Sequence, residues 1–197
     1  MWRWLLILGV IFFGWRQCST AEIYYAEPDR QINSAPHQSN ATNASPIALE
    51  QYTIEPIAHF GLEARVLARE NYHLGREADL SPTDLVLGWG EMADPQVLKH
   101  IDIRQSGRWY FWQVESFPIP RRQIETQSAN MHLIPANADV ASTLKQIRPG
   151  QVVSLQGYLV NVRAEDGWRW RSSLTREDTG ANACELVYVN QLNIVSR

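Results

Sequence analysis

The sequence predicts an α+β fold over residues 52–197, mainly antiparallel β, built as a partly open barrel with two short helices. Three observations predict it. Phe60, Leu62, Ala64, Val66 and Ala68 alternate with Gly61, Glu63, Arg65, Leu67 and Arg69, the period-two pattern of a half-buried strand. The last 47 residues read as strands joined by Glu165-Asp166-Gly167 and Asp178-Thr179-Gly180, both hairpin-turn signals. Arg148-Pro149-Gly150 opens onto a strand with Gly157 inside it, and an interior glycine marks a bend or a close backbone approach.

Residues 1–21 read as a signal peptide or a membrane anchor. Arg3 precedes an apolar run from Leu5 to Phe13, the length of a signal-peptide core and short of the roughly 20 residues that span a bilayer. Ser19-Thr20-Ala21 suits cleavage before Glu22, whereas Trp2 and Trp4 suit a retained interfacial anchor. The residues ahead of Cys18, Trp15-Arg16-Gln17, are wrong for lipidation. Residues 22–51 are rich in Asn, Ser, Ala, Pro and Gln without apolar periodicity, which predicts a disordered tether with order beginning near Tyr52. Asn40-Ala41-Thr42 and Asn43-Ala44-Ser45 match the glycosylation sequon, a short and common pattern.

Within the domain, Ser81-Pro82 starts a turn before a strand from Asp84 to Gly90. Asp94-Pro95 supplies a cap and a first-turn proline for a helix through His100. Arg108 to Val114 is an aromatic strand after a Ser106-Gly107 turn, and Ser128 to Ile134 is a strand ended by Pro135. A second helix is capped by Asn137 or Asp139, with Val140, Leu144 and Ile147 at helical spacing. Strands follow over Val152–Val162, Trp168–Leu174 and Glu185–Val195. "RPGQVVSLQGYLVNV" is similar to the opening strand of an OB-like or SH3-like barrel, a likeness of fold that says nothing of function.

Composition narrows the function. Formal net charge is -3, and loss of Arg3 and Arg16 with the leader makes it more acidic, against bulk phosphate-backbone binding. Hydrophobic residues at 45% and charged residues at 20% suffice for a packed core. Cys18 and Cys184 are the two cysteines, so a cleaved chain keeps Cys184 alone. Neither His59, His73, His100 nor His132 is paired at a metal-ligand spacing, and no metal or cofactor is expected.

His132, in Ser128-Ala129-Asn130-Met131-His132, is the candidate general base, with Asp178 or Glu185 as acid. Its competing role is a structural histidine bonded to backbone. Cys184 as nucleophile is a poorer variant. Ser142-Thr143-Leu144-Lys145 and Ser128-Ala129-Asn130 match fragments of the penicillin-binding signature, but in the wrong order. The only lysines are Lys99 and Lys145, so the third element, Lys-Thr-Gly, is missing. The densest signal is Trp168-Arg169-Trp170-Arg171. On a strand it sets Trp168 and Trp170 on one face and Arg169 and Arg171 on the other. That arrangement offers either a ligand-binding platform of indoles and guanidinium groups, or core tryptophans with cross-strand ion pairs. The strand Arg108-Trp109-Tyr110-Phe111-Trp112 poses the same choice.

"SPTDLVLGWG", "QSGRWYFW", "SANMHLIPA" and "GWRWRSSLTREDTGANACELVYV" resemble a group of short exported bacterial proteins described only as hypothetical. The resemblance spans about Tyr52 to Val195; it implies a bacterial source and one integral domain, and no activity. The expected function is a non-enzymatic binding or assembly module. It would sit in the periplasm, or on the inner membrane facing it, and meet an envelope protein, a glycan or an anionic ligand. The rivals are a small envelope hydrolase or transferase and an accessory part of a secretion or conjugation machine.

Overall fold

The computed structural model describes residues 23, 25–26, 32–41, 43–177 and 183–196. The predicted leader, residues 1–21, lies outside the described residues. Among those described, no helix is long and apolar enough to cross a membrane.

In chain order the elements are β1 (His37–Asn40), β2 (Ile47–Leu49), β3 (Tyr52–Asn71), α1 (Arg76–Leu80) and β4 (Thr83–Gly88). A 3-10 turn (Gly90–Ala93), α2 (Pro95–Leu98), β5 (Asp102–Ser106), β6 (Trp109–Gln113) and α3 (Arg121–Thr126) follow. The chain ends with β7 (Ser128–Pro135), α4 (Ala138–Gln146), β8 (Val152–Ala164), β9 (Arg169–Arg171) and β10 (Glu185–Ser196). The fold is α+β and mostly antiparallel, as expected. Among the described residues it holds four short helices rather than two. The unforeseen pair, α1 and α3, span five and six residues, too few to display a helical period. The two that were foreseen carry their caps: Asp94 accepts from the Gln96 N–H at 2.7 Å, and Asn137 from the Val140 N–H at 3.0 Å.

Order also begins before Tyr52, which corrects the tether expected over residues 22–51. β1 pairs antiparallel with β3 from His37↔Gly61 to Asn40↔Ala58, and β2 pairs with the start of β3. An edge strand draws its order from the backbone ladder and needs no apolar face. The polar composition of this stretch therefore concealed it.

β3, twenty residues long, organises the sheet. Its first two thirds pair with β8 and its last third with β4. β4 pairs with β7, β7 runs parallel to β10, and β10 is antiparallel to β8. The pairings thus run β3–β4–β7–β10–β8 and return to β3, so the sheet partly closes on itself. β9 adds to the edge of β8, and β5–β6 form a separate two-stranded hairpin.

Alternate residues of the five strands meet in one core: Phe60, Leu62, Ala64, Val66, Leu85, Leu87, Met131, Leu133, Leu155, Leu159 and Val187, capped by Val140 and Leu144 of α4. Each of the Leu, Val, Met and Phe side chains contributes roughly 1.5–3 kcal/mol on burial. Gly157 sits where β8 meets β10, and a Cβ there would lie 2.0 Å from the Tyr188 carbonyl oxygen. Only glycine admits that approach. The intervening side chains face outward, and two further apolar clusters cover parts of that outer surface.

Candidate functional site

On the outer face, β4 and β7 align Asp84 opposite His132. The imidazole Nδ1 lies 2.8 Å from Asp84 Oδ2. The other carboxylate oxygen accepts from Arg108 Nη1 at 2.9 Å and from the Ser81 hydroxyl at 3.3 Å, while Arg108 Nη2 donates to the Ser81 carbonyl at 3.1 Å. Arg108 reaches inward from the β5–β6 turn, where it and Gly107 hold φ of 67° and 59°, the signature of a two-residue type I′ hairpin. The Tyr72 ring lies 4.0 Å from the guanidinium and the Trp170 ring 5.1 Å. Tyr72 Oη also accepts the Arg108 N–H at 2.8 Å. Burial, reinforced by the Asp84 charge, pushes the Tyr72 phenol up to about 12. Trp170 stacks obliquely on His132 with ring centres 5.0 Å apart. Asp84 is fully buried and His132 is 5% exposed, so neither meets bulk solvent.

Beside this closed cluster lies an open cleft of about 400 Å³. One wall is β6, Trp109 through Trp112; another combines Arg121 and Glu125 of α3 with Ser128–Asn130 of β7. Arg176 and Cys184–Glu185 complete it. Arg121 pairs with Glu125 at 2.7 Å. Glu185 is fully buried, with the Arg176 guanidinium 3.6 Å away, and Arg176 also donates to Gln38 and lies over the Phe60 ring. Asn130 ties cleft to cluster: its Nδ2 donates to the Arg108 carbonyl at 2.9 Å and its Oδ1 accepts from Gln105 at 2.7 Å. The half-buried Cys184 thiol lies 3.8 Å from the same Arg108 carbonyl. Burial raises the Tyr110 phenol, whose oxygen sits 3.2 Å from Ser128 Oγ.

The residues singled out from sequence scatter over this frame. His132 lies in the closed cluster, and its carboxylate partner is Asp84. Glu185 aligns with Met131 and Leu186 with His132, so Glu185 and His132 sit one step apart on opposite faces of the sheet and do not converge. Asp178 lies outside the described residues. Trp168 and Trp170 are half-buried and spend their rings within the chain. Trp168 packs edge-on against Tyr52 and Trp170, and Arg76 lies 5.3 Å from its ring. Arg169 and Arg171 point outward and form no ion pair among the described residues. No group of three or more His, Cys, Asp and Glu fit to hold a metal occurs among the described residues.

Sequence reasoning missed Asp84, Tyr72 and Arg108 as partners of His132, and missed Arg121 and Arg176. One signal was available: a carboxylate opening the apolar strand Asp84-Leu85-Val86-Leu87 demands a partner if that strand is buried. Compared with protein-family models, with curated proteins and with solved structures, the chain matches none, so its function is read from these side chains alone.

Proposed function

We propose that this chain is a non-enzymatic binding or assembly module of OB type that accepts an extended segment of a partner protein along β6. The pairing order supports the OB reading over the SH3-like one. Numbering β3, β4, β7, β8 and β10 as one to five, the ring runs 1-2-3-5-4-1 with α4 between the third and fourth strands. OB-type folds bind ligands on the face of strands two and three. Here that face carries Asp84 and His132 and is already covered by Arg108 and Trp170, whereas the cleft beside it is open.

The observation that carries the proposal is the unprotected edge of β6. Ser106↔Trp109 closes the two-residue turn, so Trp109, Phe111 and Gln113 spend their backbone groups on β5. The same alternation turns the N–H and C=O of Tyr110 and Trp112 away. Among the described residues no backbone hydrogen bond reaches them. β6 reads WYFWQ without a charge or a proline, the usual guards of an exposed edge. Trp109 and Phe111 are 42% and 56% exposed. A cleft of about 400 Å³ suits a single added strand. Export by residues 1–21, which would meet such partners in the bacterial envelope, belongs to the same proposal.

The test selects binders from a library of random dodecapeptides against the intact chain. Peptides that bind, slow hydrogen exchange at the Tyr110 and Trp112 amides, and are lost with a Trp109→Lys/Phe111→Lys double variant support the reading. Absence of binders, or binding that leaves those amides unprotected, overturns it. The Asp84–His132 contact is the one observation favouring a hydrolase. It would require Trp170 to leave the imidazole, and both ring and carboxylate are buried.

A further inference from the structure

A second cavity, of about 490 Å³, opens on β1, β3, β8 and β10 and shares no lining residue with the β6 cleft. The strand registers build it from two adjacent rows. One row runs His37, Gly61, Gln156, Gln191 and the next Ser39, His59, Tyr158, Tyr188. Gly61 is the gap in the first row, and its missing side chain opens a slot between His37 and Gln156. On β10 the register slips between Val189 and Gln191. That bulge leaves Asn190 and Gln191 both exposed, where an unbroken strand would turn one of them inward. The His59 and Tyr158 rings lie 4.8 Å apart and wall one side.

The chemistry of this lining is uniform. None of its residues is Asp, Glu, Lys or Arg, in a chain where charged residues make up 20%. Seven carry uncharged hydrogen-bonding side chains: His37, His59, Ser154, Gln156, Tyr158, Asn190 and Gln191. None of the seven forms a side-chain hydrogen bond with the described residues. Amide side chains present a donor and an acceptor together, which matches neighbouring hydroxyls, and an aromatic wall stacks on the C–H face of a sugar ring. A charged ligand would find no counter-charge, and a purely apolar one would strand the amides.

We infer that this slot binds a neutral carbohydrate, with Tyr158 and His59 stacking on the ring and Gln156, Asn190 and Gln191 reading its hydroxyls. The site is independent of the β6 cleft.

The experiment titrates the full chain with chitotriose, cellotriose and maltotriose separately and follows the amide and side-chain resonances of Gln156, Tyr158 and Gln191. Sugars are carried to roughly 10 mM, where even millimolar affinity registers. At least one sugar is expected to shift those signals. Tyr158→Ala should weaken binding tenfold or more, and Gly61→Val should abolish it. A Cβ at Gly61 meets its nearest neighbour at an ordinary 3.5 Å, so the strand has room for a side chain to begin there; Gln156→Ala, at an exposed position, is the third variant and should weaken binding at least threefold. No shift with any sugar, shifts confined to the β6 cleft, or native-like binding by all three variants would overturn the inference.

Discussion

Two clusters on the outer surface of one sheet use the same residue types to opposite ends. Asp84, His132, Arg108, Tyr72 and Trp170 form the first; His37, His59, Gln156, Tyr158 and Gln191 form the second. Each has histidine beside tyrosine or tryptophan and several hydrogen-bonding groups. In the first, capacity is consumed internally: Asp84 is contacted by an imidazole, a guanidinium and a hydroxyl, and two rings flank Arg108. In the second, His59 and Tyr158 touch each other, but the polar side chains form no side-chain hydrogen bond among the described residues. The difference lies in cover. The chain between β4 and β7 sends the β5–β6 turn over the first cluster, and β9 lays Trp170 upon it. No comparable segment among those described crosses the second. Residue type is therefore a poor guide to function here, and unspent bonding capacity in a concave surface a better one.

The largest expected effect breaks the first cluster. Arg108→Ala keeps a non-glycine residue at the same positive φ, so it isolates the guanidinium. It leaves a fully buried carboxylate short of its cation, and removing one partner of a buried pair costs about 3 kcal/mol. Urea unfolding measures it. Tyr158→Ala in the second cluster removes a half-buried ring packed on His59 and an outer apolar cluster but strands no charge, and should cost less, about 1 kcal/mol. Equal losses at the two sites would erase the distinction between closed and open clusters.

Trp170→Ala sharpens the comparison by opening the first cluster without removing a charge. Loss of a half-buried indole should cost about 2 kcal/mol, below the 3–5 of fully buried aromatics. The His132 ring, 5% exposed in the native chain, should become solvent-accessible, as read from broadening of its imidazole NMR signals by a soluble paramagnetic probe. Equal broadening of the His132 signals in the native chain and the variant would show that the indole is not its lid.

How much of this was legible follows the range of the interactions involved. The Phe60–Ala68 alternation and the caps at Asp94 and Asn137 act within a few residues, and the chain displays them directly. The edge strands β1 and β2 are stabilised by backbone ladders, which leave no mark on side-chain pattern. The Asp84–His132 contact joins positions 48 residues apart, and only the β4–β7 register makes them neighbours. The alternation of Trp168-Arg169-Trp170-Arg171 is legible in the sequence, indoles to one side and guanidinium groups to the other. That pattern did not reveal that Tyr52, His132 and Arg108 would take up the indoles. The carbohydrate slot was hidden most deeply, since its residues come from four strands and its defining features are a glycine and a bulge.

The smallest expected effect supplies a third setting, a pair at the solvent-exposed surface. Asp166, in the β8–β9 turn, accepts from Arg76 Nη1 at 3.1 Å and from the Trp168 N–H at 3.1 Å. The Arg76 hydrogen bond, and then the Trp168 amide, hold the Asp166 carboxyl below its ordinary range. A depressed carboxyl contributes stability that is present above its unfolded value of about 3.9 and is lost as pH falls through the folded value. Asp166→Asn should therefore be slightly less stable than the native chain at neutral pH, with the gap closing in acid and shrinking in high salt. The contact is as short as that of Arg108 with Asp84, but the side chains of Arg76 and Asp166 are 33% and 55% exposed, and exposed pairs contribute little. Unfolding of both variants across pH and salt decides whether burial separates the two arginine–aspartate pairs. If Asp166→Asn proved as damaging as Arg108→Ala, contact geometry rather than cover would be the controlling variable, and the contrast between the closed and open clusters would lose its physical basis.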